Sequence, residues 1–321
     1  MAEQSSPMIY IVLGVFNPEL GLLKQQLASL LRQTHSRFQV LLAEDGPVSP
    51  DASALLGSFA DERLVRLSFP DTVGVHANYA RGVQEALRRS VDDEDLFAFC
   101  DQDDLWHAEK LARQVAFLSD RPGCGLCHCD ARVVGQDGAG IAPSLFAYEQ
   151  RSKRHGLLDL LVMNSVTGMT SVATKTAMSA ASDFPMAETK EILHDHWLAL
   201  VAAAESDVAF LDEVLVDYVQ HTENELGARD QAGARKPGWN LLFGGSDYWA
   251  RCRRQYAWRS ETVEALTALS RSPERVARAD MSGWRGGIML LKHMAAAWGT
   301  GHRRQAAQTW RLLAGKVLLR A

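Results

Sequence analysis

Short apolar segments alternate along this chain with segments of helical pattern, and this alternation limits the possible folds more than any other feature. Five segments are mostly apolar and short enough to be strands: residues 8–15, 38–43, 65–69, 96–100 and 125–134. Four segments between them carry apolar residues at helical spacing: residues 20–33, 52–59, 73–89 and 105–120. Because this order repeats βα units, it predicts an α/β fold with a mostly parallel sheet flanked by helices.

The charge of the chain changes sign towards its C-terminal end. Residues 1–228 have a net charge of −16 and residues 229–321 one of +11, which together give −5. The acidic part argues against a general role in nucleic acid binding. Residues from 238 onward have mostly helical patterns. We therefore predict an α/β domain over residues 1–228 and a basic, mainly helical region over residues 229–321. No signal peptide and no membrane span is recognisable, so we expect a cytoplasmic protein.

The basic region also interleaves aromatic and cationic side chains. Six tryptophans lie among its arginines and lysines: Trp239, Trp249, Trp258, Trp284, Trp298 and Trp310. A basic amphipathic helix with tryptophan can lie on an anionic membrane surface. This predicts peripheral contact with the inner face of the cytoplasmic membrane through residues 238–321. The alternative is a helical subdomain that packs on the acidic part or on an oligomer partner, and the moderate amphipathicity slightly favours it.

The five cysteines resemble a metal site only in part. Cys124, Cys127 and Cys129 surround His128, whereas Cys100 and Cys252 stand alone. An odd number of cysteines in a cytoplasmic protein argues against a disulfide framework. A structural zinc site usually needs a second pair of ligands, which the sequence lacks. The pattern therefore favours small apolar strand residues over a zinc site.

Polar clusters follow three of the predicted strands. They are Phe16-Asn17, Glu44-Asp45-Gly46 and Asp101-Gln102-Asp103-Asp104. In parallel sheets ligands bind at the carboxyl ends of the strands, so the three clusters predict one crevice. Two carboxylates two residues apart suit Mg²⁺ or Mn²⁺ when phosphate oxygens complete the coordination. The alternative is a solvated acidic loop in which Asp104 caps the helix predicted over residues 105–120, and spacing alone leaves both open.

The string Phe97-Ala98-Phe99-Cys100-Asp101-Gln102-Asp103-Asp104-Leu105-Trp106, with Lys110 after it, resembles the core of family 2 glycosyltransferases. It is similar above all to the rhamnosyltransferase-type branch. Further matches follow in order over residues 8–228: Val15-Phe16-Asn17, Glu44-Asp45-Gly46, the Gly-x-x-x-Asn-x-x-x-Gly run of residues 74–82, Val166-Thr167-Gly168, His194-Asp195-His196-Trp197 and Gln220-His221-x-x-Asn224. Six ordered matches are far more specific than any one of them.

The resemblance implies a GT-A fold, with a Rossmann-like nucleotide-sugar-binding domain, and inverting transfer from a nucleotide-diphosphate sugar with a divalent cation. It implies dTDP-L-rhamnose as donor, with UDP- or GDP-sugars as alternatives, and a bacterial surface glycan or glycolipid as acceptor. The implied donor-binding residues are Phe16, Asn17, Asp45, Asn78, Arg81, Asp101, Gln102 and Lys110. The implied metal ligands are Asp103 and His221, and the implied acceptor-side residues are Thr167, Gly168 and Trp197. For Trp197, a place in the core is an equally good interpretation.

Inverting transfer needs a general base that deprotonates the acceptor hydroxyl. The resemblance implies Asp195, which lies at the start of a helix predicted over residues 191–204, where the helix dipole favours an ionised carboxylate. Spacing alone favours a helix cap instead. The sequence has no P-loop, no Gly-x-Gly-x-x-Gly after its first strand and no Gly-x-Ser-x-Gly elbow. A non-catalytic subunit with the same fold is the second class of function to consider.

Overall fold

The computed structural model describes residues 6–183, 192–221 and 246–319. Asn224 and Trp239 of the motifs above lie outside these residues. The described residues divide into two compact units. The first contains the residues up to Ser144, Val166–Ala202 and the residues from Ser206 to His221, and the second contains Leu145–Ser165, Ala203–Glu205 and the C-terminal helices.

The first unit is built on a sheet, to which the described residues contribute nine strands. They are β1 (Ile9–Val15), β2 (Phe38–Glu44), β3 (Leu64–Ser68), β4 (Leu96–Cys100), β5 (Leu105–Trp106), β6 (Cys124–Gly135), β7 (Gly140–Ala142), β8 (Ser171–Thr174) and β9 (Asp207–Gln220). The strand order is β3-β2-β1-β4-β8-β6-β9-β5, and β7 pairs with β6. The α/β fold predicted from the sequence is confirmed.

Half of this sheet follows the predicted parallel arrangement. Strands β3, β2, β1 and β4 are parallel, whereas β8 is antiparallel to both β4 and β6. Strand β6 then runs parallel to β9. In β1 Val15 pairs with Glu44 of β2, and Leu13 pairs with Cys100 of β4. This register brings the carboxyl ends of the three strands, and the polar residues that follow them, to one edge of the sheet.

Helices cover the sheet as the alternating pattern predicts. The described helices of the first unit are α1 (Leu20–Leu31), α2 (Pro50–Ser58), α3 (Val75–Arg89), α4 (Lys110–Ser119), α7 (Lys175–Ala181) and most of α8 (His194–Glu205). Helix α3 approaches β1 closely because Gly82 has no side chain. A Cβ at Gly82 would lie 2.3 Å from Cγ1 of Val12.

The helix predicted over residues 105–120 is wrong at its start. Residues Leu105–Trp106 form β5, which pairs antiparallel with β9, and α4 begins at Lys110. Asp104 does not cap a helix, because its Oδ1 accepts a hydrogen bond of 3.1 Å from the backbone N–H of Val219 in β9. This contact with a distant strand holds the backbone extended. A 3-10 turn at Gly168–Thr170 precedes β8.

The second unit is helical in its described residues. Its helices are α5 (Leu145–Tyr148), α6 (Leu157–Val162), α9 (Ser246–Leu269), α10 (Pro273–Ala277), α11 (Gly283–Gly299) and α12 (Arg303–Leu319). Arg259 of α9 is buried and donates hydrogen bonds to the carbonyl oxygens of Leu161 and Val162 at the end of α6. The guanidinium thereby satisfies carbonyls that the short helix leaves unpaired. None of the described helices has the length and apolarity needed to span a bilayer.

Candidate active site

Asp101 and Asp103 follow β4 at the edge of the sheet where β1 and β2 also end. Oδ1 of Asp101 accepts a hydrogen bond of 2.9 Å from the hydroxyl of Tyr79 in α3. Oδ2 of Asp103 lies 2.7 Å from Nε2 of His221, which follows the end of β9. The structure therefore brings Asp103 and His221 together, although 118 positions separate them in the sequence.

Gln102 lies between these two carboxylates and joins two strand ends. Its amide Nε2 donates to the carbonyl oxygen of Phe16, and its Oε1 accepts from the N–H of the same residue, both at 2.9 Å. Asn17 follows with a positive φ of 40°. The two hydrogen bonds hold the segment after β1 beside the segment after β4, and the side chain of Phe16 is left 51% exposed.

Asp45 follows β2 and shapes the entry into α3. Its carboxylate accepts hydrogen bonds from the backbone N–H groups of Val73 at 2.7 Å and Gly74 at 2.9 Å. The neighbouring Gly46 has a φ of +83°, and a Cβ there would lie 2.3 Å from Oγ1 of Thr72. The carboxylate is thus fixed at the edge of the sheet.

Two other predicted donor-binding residues of α3 have different surroundings. Asn78 is buried against β2, and its amide Nδ2 donates to the carbonyl oxygen of Ala43 at 2.8 Å. Arg81 donates to the carbonyl oxygen of Asp71 at 3.1 Å and lies over the ring of Phe69. The structure therefore puts Asn78 in the helix–sheet interface and Arg81 at the loop after β3.

Lys110 is not brought to the acidic cluster. Its side chain is fully buried, its ammonium donates to Oε1 of Gln114 at 2.9 Å, and it lies 3.6 Å from the ring centroid of Trp106. Burial lowers the pKa of Lys110 to about 8. Buried cysteines surround this ammonium, and burial raises the pKa of Cys129 among them to about 12. The resemblance predicts that Lys110 contacts the donor, but its side chain lies in the core instead.

Asp195 lies in the first turn of α8, as predicted, and its carboxylate has defined partners. Oδ2 accepts a hydrogen bond of 3.0 Å from the N–H of Gly168, and Oδ1 accepts one of 2.6 Å from the N–H of His196. Leu193 is the N-cap residue of α8, so Asp195 does not have the cap position. The bond to Gly168 joins the candidate base to the predicted acceptor-side segment Val166-Thr167-Gly168.

His194 precedes Asp195 and was not predicted to belong to the site. Its ring stacks on Tyr79 with centroids 3.8 Å apart and meets the edge of Phe99 at 4.6 Å. Burial, and then the proximity of His76, lower the pKa of His194 to about 3. The neutral imidazole therefore connects the helix of Asp195 with Tyr79, whose hydroxyl binds Asp101. Both His194 and Tyr79 are part of the motifs quoted above, but nothing in the motifs shows that they touch.

Trp197 lies in the core of the first unit. It is only 2% exposed, and its indole N–H donates to the carbonyl oxygens of Ala181 and Asp183, both at 3.1 Å. A ring that is buried in this way cannot serve as an acceptor platform. The alternative interpretation of Trp197, a core aromatic residue, is the one that the structure favours.

The side chains near Asp103 offer a divalent cation only part of a coordination shell. Within residues 6–183, 192–221 and 246–319, no three His, Cys, Asp or Glu side chains converge into a metal site. The pair Asp103 and His221 offers an oxygen and a nitrogen to a partial coordination shell, which phosphate oxygens would complete. Burial, and then the charges of Asp103 and Asp101, raise the pKa of Asp104 well above its usual range. Burial and the neighbouring carboxylates therefore oppose a further negative charge at Asp104.

Comparison with known proteins gives a family match and several relatives. The family model "Glycosyl transferase family 2" matches residues 10–169. The putative teichuronic acid biosynthesis glycosyltransferase TuaG of Bacillus subtilis is 22% identical over 233 residues, which cover 72% of this chain and 85% of TuaG. An uncharacterized protein of Mycobacterium tuberculosis is 29% identical over 196 residues, or 59% of this chain and 52% of that protein. An uncharacterized protein of Sinorhizobium fredii is 24% identical over 136 residues, 42% of this chain but only 14% of that protein.

Solved structures share the fold over nearly the whole chain. The structure of S. aureus TarS 1–349 in complex with UDP is similar with a TM-score of 0.54 at 14% identity, and the match covers 98% of this chain and 92% of that one. The complex of the same protein with UDP-GlcNAc is similar with a TM-score of 0.51 at 13% identity over 97% of this chain and 92% of that one. At these identities the likeness establishes the fold alone.

Proposed function

Since residues 10–169 belong to glycosyl transferase family 2, we propose that this glycosyltransferase performs inverting transfer from a nucleotide-diphosphate sugar. Its fold is of the GT-A type. In this proposal the donor binds along the ends of β1, β2 and β4. The acceptor hydroxyl approaches from the side of Gly168.

One observation carries the proposal, namely the continuous path of contacts between Asp195 and Asp101. Asp195 binds the N–H of Gly168, its neighbour His194 stacks on Tyr79, and Tyr79 donates to Asp101. His194, which is the neighbour of the candidate base, and Asp101, the candidate donor-binding carboxylate, thus both contact Tyr79. Fixed positions of this kind are what catalysis by proximity requires.

The proposed chemistry assigns one task to each carboxylate. Asp45 accepts a hydrogen bond from the ring N–H of the donor's nucleobase, and Asp101 binds the donor's ribose. Asp195 takes the proton of the acceptor hydroxyl as the oxygen attacks the anomeric carbon and the nucleotide diphosphate leaves from the opposite face. The N–H groups of Gly168 and His196 and the N-terminal end of α8 stabilise negative charge on the Asp195 side chain.

A divalent cation is the proposed cofactor. Asp103 and His221 would hold Mg²⁺ or Mn²⁺, which supplies neutralisation of the charge on the leaving diphosphate. The position of Asp103 supports this assignment, because it lies two residues after Asp101, the residue that is proposed to hold the ribose.

The proposed donor is dTDP-L-rhamnose, on the strength of the Asp-Gln-Asp-Asp-x-Trp string. UDP- and GDP-sugars are the alternatives, and the TarS complexes contain UDP and UDP-GlcNAc. The proposed acceptor is a bacterial surface glycan such as lipopolysaccharide, O-antigen or capsule, and the name of TuaG connects that relative with teichuronic acid biosynthesis. We include peripheral membrane contact through residues 238–321 in the proposal, because such acceptors are carried on lipids.

Asp195→Asn tests the mechanism. The variant should bind the donor as the wild type does and lose transfer by roughly 10²- to 10⁴-fold, because only the base is removed. Release of nucleotide diphosphate in the presence of acceptor measures transfer, and the thermal shift caused by the donor measures binding. The matched control is Asp51→Asn, an exposed position in the first turn of α2. Undiminished transfer by Asp195→Asn would exclude Asp195 as the base.

Asp103→Ala tests the cation. The variant should lose the part of donor binding that depends on Mn²⁺, because one of two proposed protein ligands is removed. Donor binding with the same dependence on Mn²⁺ in the variant would exclude Asp103 as a ligand.

A thermal-shift screen of dTDP-L-rhamnose, UDP-GlcNAc and GDP-mannose with Mn²⁺ identifies the donor. A ligand at a hundredfold excess over its Kd stabilises the native state by about 2.7 kcal/mol.

A further inference from the structure

Helix α11 in the second unit presents a row of apolar side chains to solvent. Trp284, Ile288, Leu291 and Trp298 are 69%, 42%, 47% and 61% exposed. Their spacing of four, three and seven residues puts them on one face of a helix, along roughly 21 Å of its axis. The residues that α11 buries lie on its other face: Gly286, Leu290, His293 and Ala297. The exposed row, called the apolar stripe below, is therefore additional to the face that holds α11 in its unit.

A cavity of about 500 Å³ lies along one flank of the apolar stripe. Ile288 of the stripe contributes to its wall, and three cationic side chains line it: Arg154, Arg285 and Lys292. Arg285 and Lys292 are seven residues apart on the same flank of α11. The cavity thus combines cations with the edge of an apolar surface.

The positive charge of this cavity is only partly balanced. Arg154 pairs with Asp159 at 3.3 Å, and the same carboxylate lies 3.0 Å from Nε2 of the buried His293. Although burial opposes ionisation, these neighbours hold the pKa of Asp159 below its usual range. In the described part of the chain no carboxylate lies within ion-pair distance of Arg285 or Lys292. Residues 283–299 also contain no Asp or Glu.

We propose that α11 docks this protein on an anionic lipid bilayer, with the apolar stripe at the boundary of headgroups and acyl chains and a lipid phosphate in the cavity on Arg285 and Lys292. Charge complementarity selects this occupant, because an uncovered cationic flank beside exposed apolar side chains matches an anionic, amphipathic surface. Trp284 and Trp298 at the two ends of the stripe suit the membrane interface, where one part of the ring is apolar and the other is wet. A second copy of the chain is a poorer occupant, because pairing of two stripes would bring four cations together without counter-charges.

The inference rests on the proposed membrane contact and narrows it from residues 238–321 to one helix and one cavity. Its test does not need catalysis. The full-length protein is sedimented with vesicles of phosphatidylcholine alone and with vesicles that also contain phosphatidylglycerol, at low and at high salt. Donor binding is measured for every variant, so that a failure of the membrane inference can be distinguished from a failure of the glycosyltransferase proposal.

Two double variants separate the apolar and the cationic parts of the surface. Arg285→Gln with Lys292→Gln should weaken binding to the anionic vesicles by roughly 30-fold at low salt, because each cation near the surface contributes about a factor of five. Leu291→Gln with Trp298→Gln should weaken it at least about tenfold, because two apolar side chains no longer insert. Donor binding should not change in either variant.

Matched controls exist on the other helices of the same unit. Arg253→Gln with Arg254→Gln removes two exposed charges from α9, and Leu269→Gln with Val317→Gln removes two exposed apolar side chains. Both controls should bind anionic vesicles like the wild type. Equal loss in controls and test variants, or equal binding to neutral vesicles, would overturn the proposal. The proposal would also be overturned if the protein bound inorganic phosphate, beyond the effect of NaCl at equal ionic strength, but did not bind vesicles. A dimer in solution that only the variant Leu291→Gln with Trp298→Gln dissociates would overturn it as well.

Discussion

Replacing His194 by phenylalanine should make the first unit more resistant to acid. The imidazole of His194 is buried between Tyr79 and Phe99, and neither ring nitrogen has a hydrogen-bond partner. A phenyl ring keeps the stacked arrangement and has no nitrogen to protonate. The variant therefore removes one titration while it preserves the packing that joins Asp195 to Asp101.

The size of the effect follows from the pKa of His194, which is about 3 in the folded protein against 6.5 for an ordinary histidine. Because the folded pKa is depressed, the unfolded chain takes up the proton first as the pH falls, and stability is lost between these two values. At about pH 5 the loss from this residue is about 2 kcal/mol, and below both pKa values it approaches about 5 kcal/mol. Above about pH 7.5 the contribution disappears, because His194 is then neutral in both states.

Urea unfolding followed by circular dichroism measures the effect. The free energy of unfolding should fall by about 2 kcal/mol more in the wild type than in His194→Phe between about pH 8 and pH 5. His155, whose pKa burial lowers to about 4, adds its own acid sensitivity to both proteins and cancels in this difference. Equal losses in the two proteins would refute the argument, since they would mean that His194 takes up its proton as easily in the folded state as in the unfolded state.

Three further substitutions test the packing of the first unit. Gly82→Ala should lower the free energy of unfolding by about 1–3 kcal/mol, because its Cβ would lie 2.3 Å from Cγ1 of Val12. Gly57→Ala in α2 should raise it by about 0.4–1 kcal/mol, because no atom lies within 4 Å of the added Cβ. Thermal or urea unfolding measures both effects. Equal effects of the two would contradict the close approach of α3 to β1. In the wild type, Lys110 is protonated only in the unfolded chain between about pH 8 and 10.5, because its folded pKa is about 8. The wild type should therefore gain about 3 kcal/mol of stability as the pH rises through this range. Lys110→Met should remove this gain. A difference between the two proteins that does not change with pH would exclude a buried, shifted Lys110.

The parallel half of the sheet was predictable because its strands report their surroundings directly. Every residue of β4 is buried, and β1 and β2 are buried except at one position each, so these strands consist almost entirely of apolar residues. Strands covered by helices on both faces have this uninterrupted pattern. The helices between them are equally legible, since only one of their faces packs on the sheet.

The order of the remaining strands was not predictable from local pattern. Strand β8 is only four residues long and inserts between β4 and β6, although it follows β6 in sequence. Residues Leu105–Trp106 continue the helical spacing of α4, yet they form a strand because β9, more than 100 residues later, offers pairing partners. In both cases a distant partner decides the structure, and sequence periodicity contains no record of it.

The candidate site was predictable where a residue belongs to a strand end, and not where it depends on the direction of a side chain. Asp101 and Asp103 directly follow the end of β4, and Asp195 lies in the first turn of α8, as the strand and helix patterns predict. Lys110 and Trp197 belong to the same motifs, but both point into the core. A motif preserves residues that build a site as well as residues that contact its ligands, and only burial separates the two groups.

The run Asp101-Gln102-Asp103-Asp104 shows how closely these two tasks can be combined. Its four side chains have four different partners: the Tyr79 hydroxyl, the Phe16 backbone, the His221 ring and the Val219 backbone. Gln102 and Asp104 therefore connect the end of β4 to the segment after β1 and to β9, and these connections fix the positions of Asp101 and Asp103, the proposed ligand-binding carboxylates. Loss of activity after substitution of Gln102 or Asp104 would not identify a donor contact. A parallel loss of stability distinguishes a residue that joins strands from one that binds the donor.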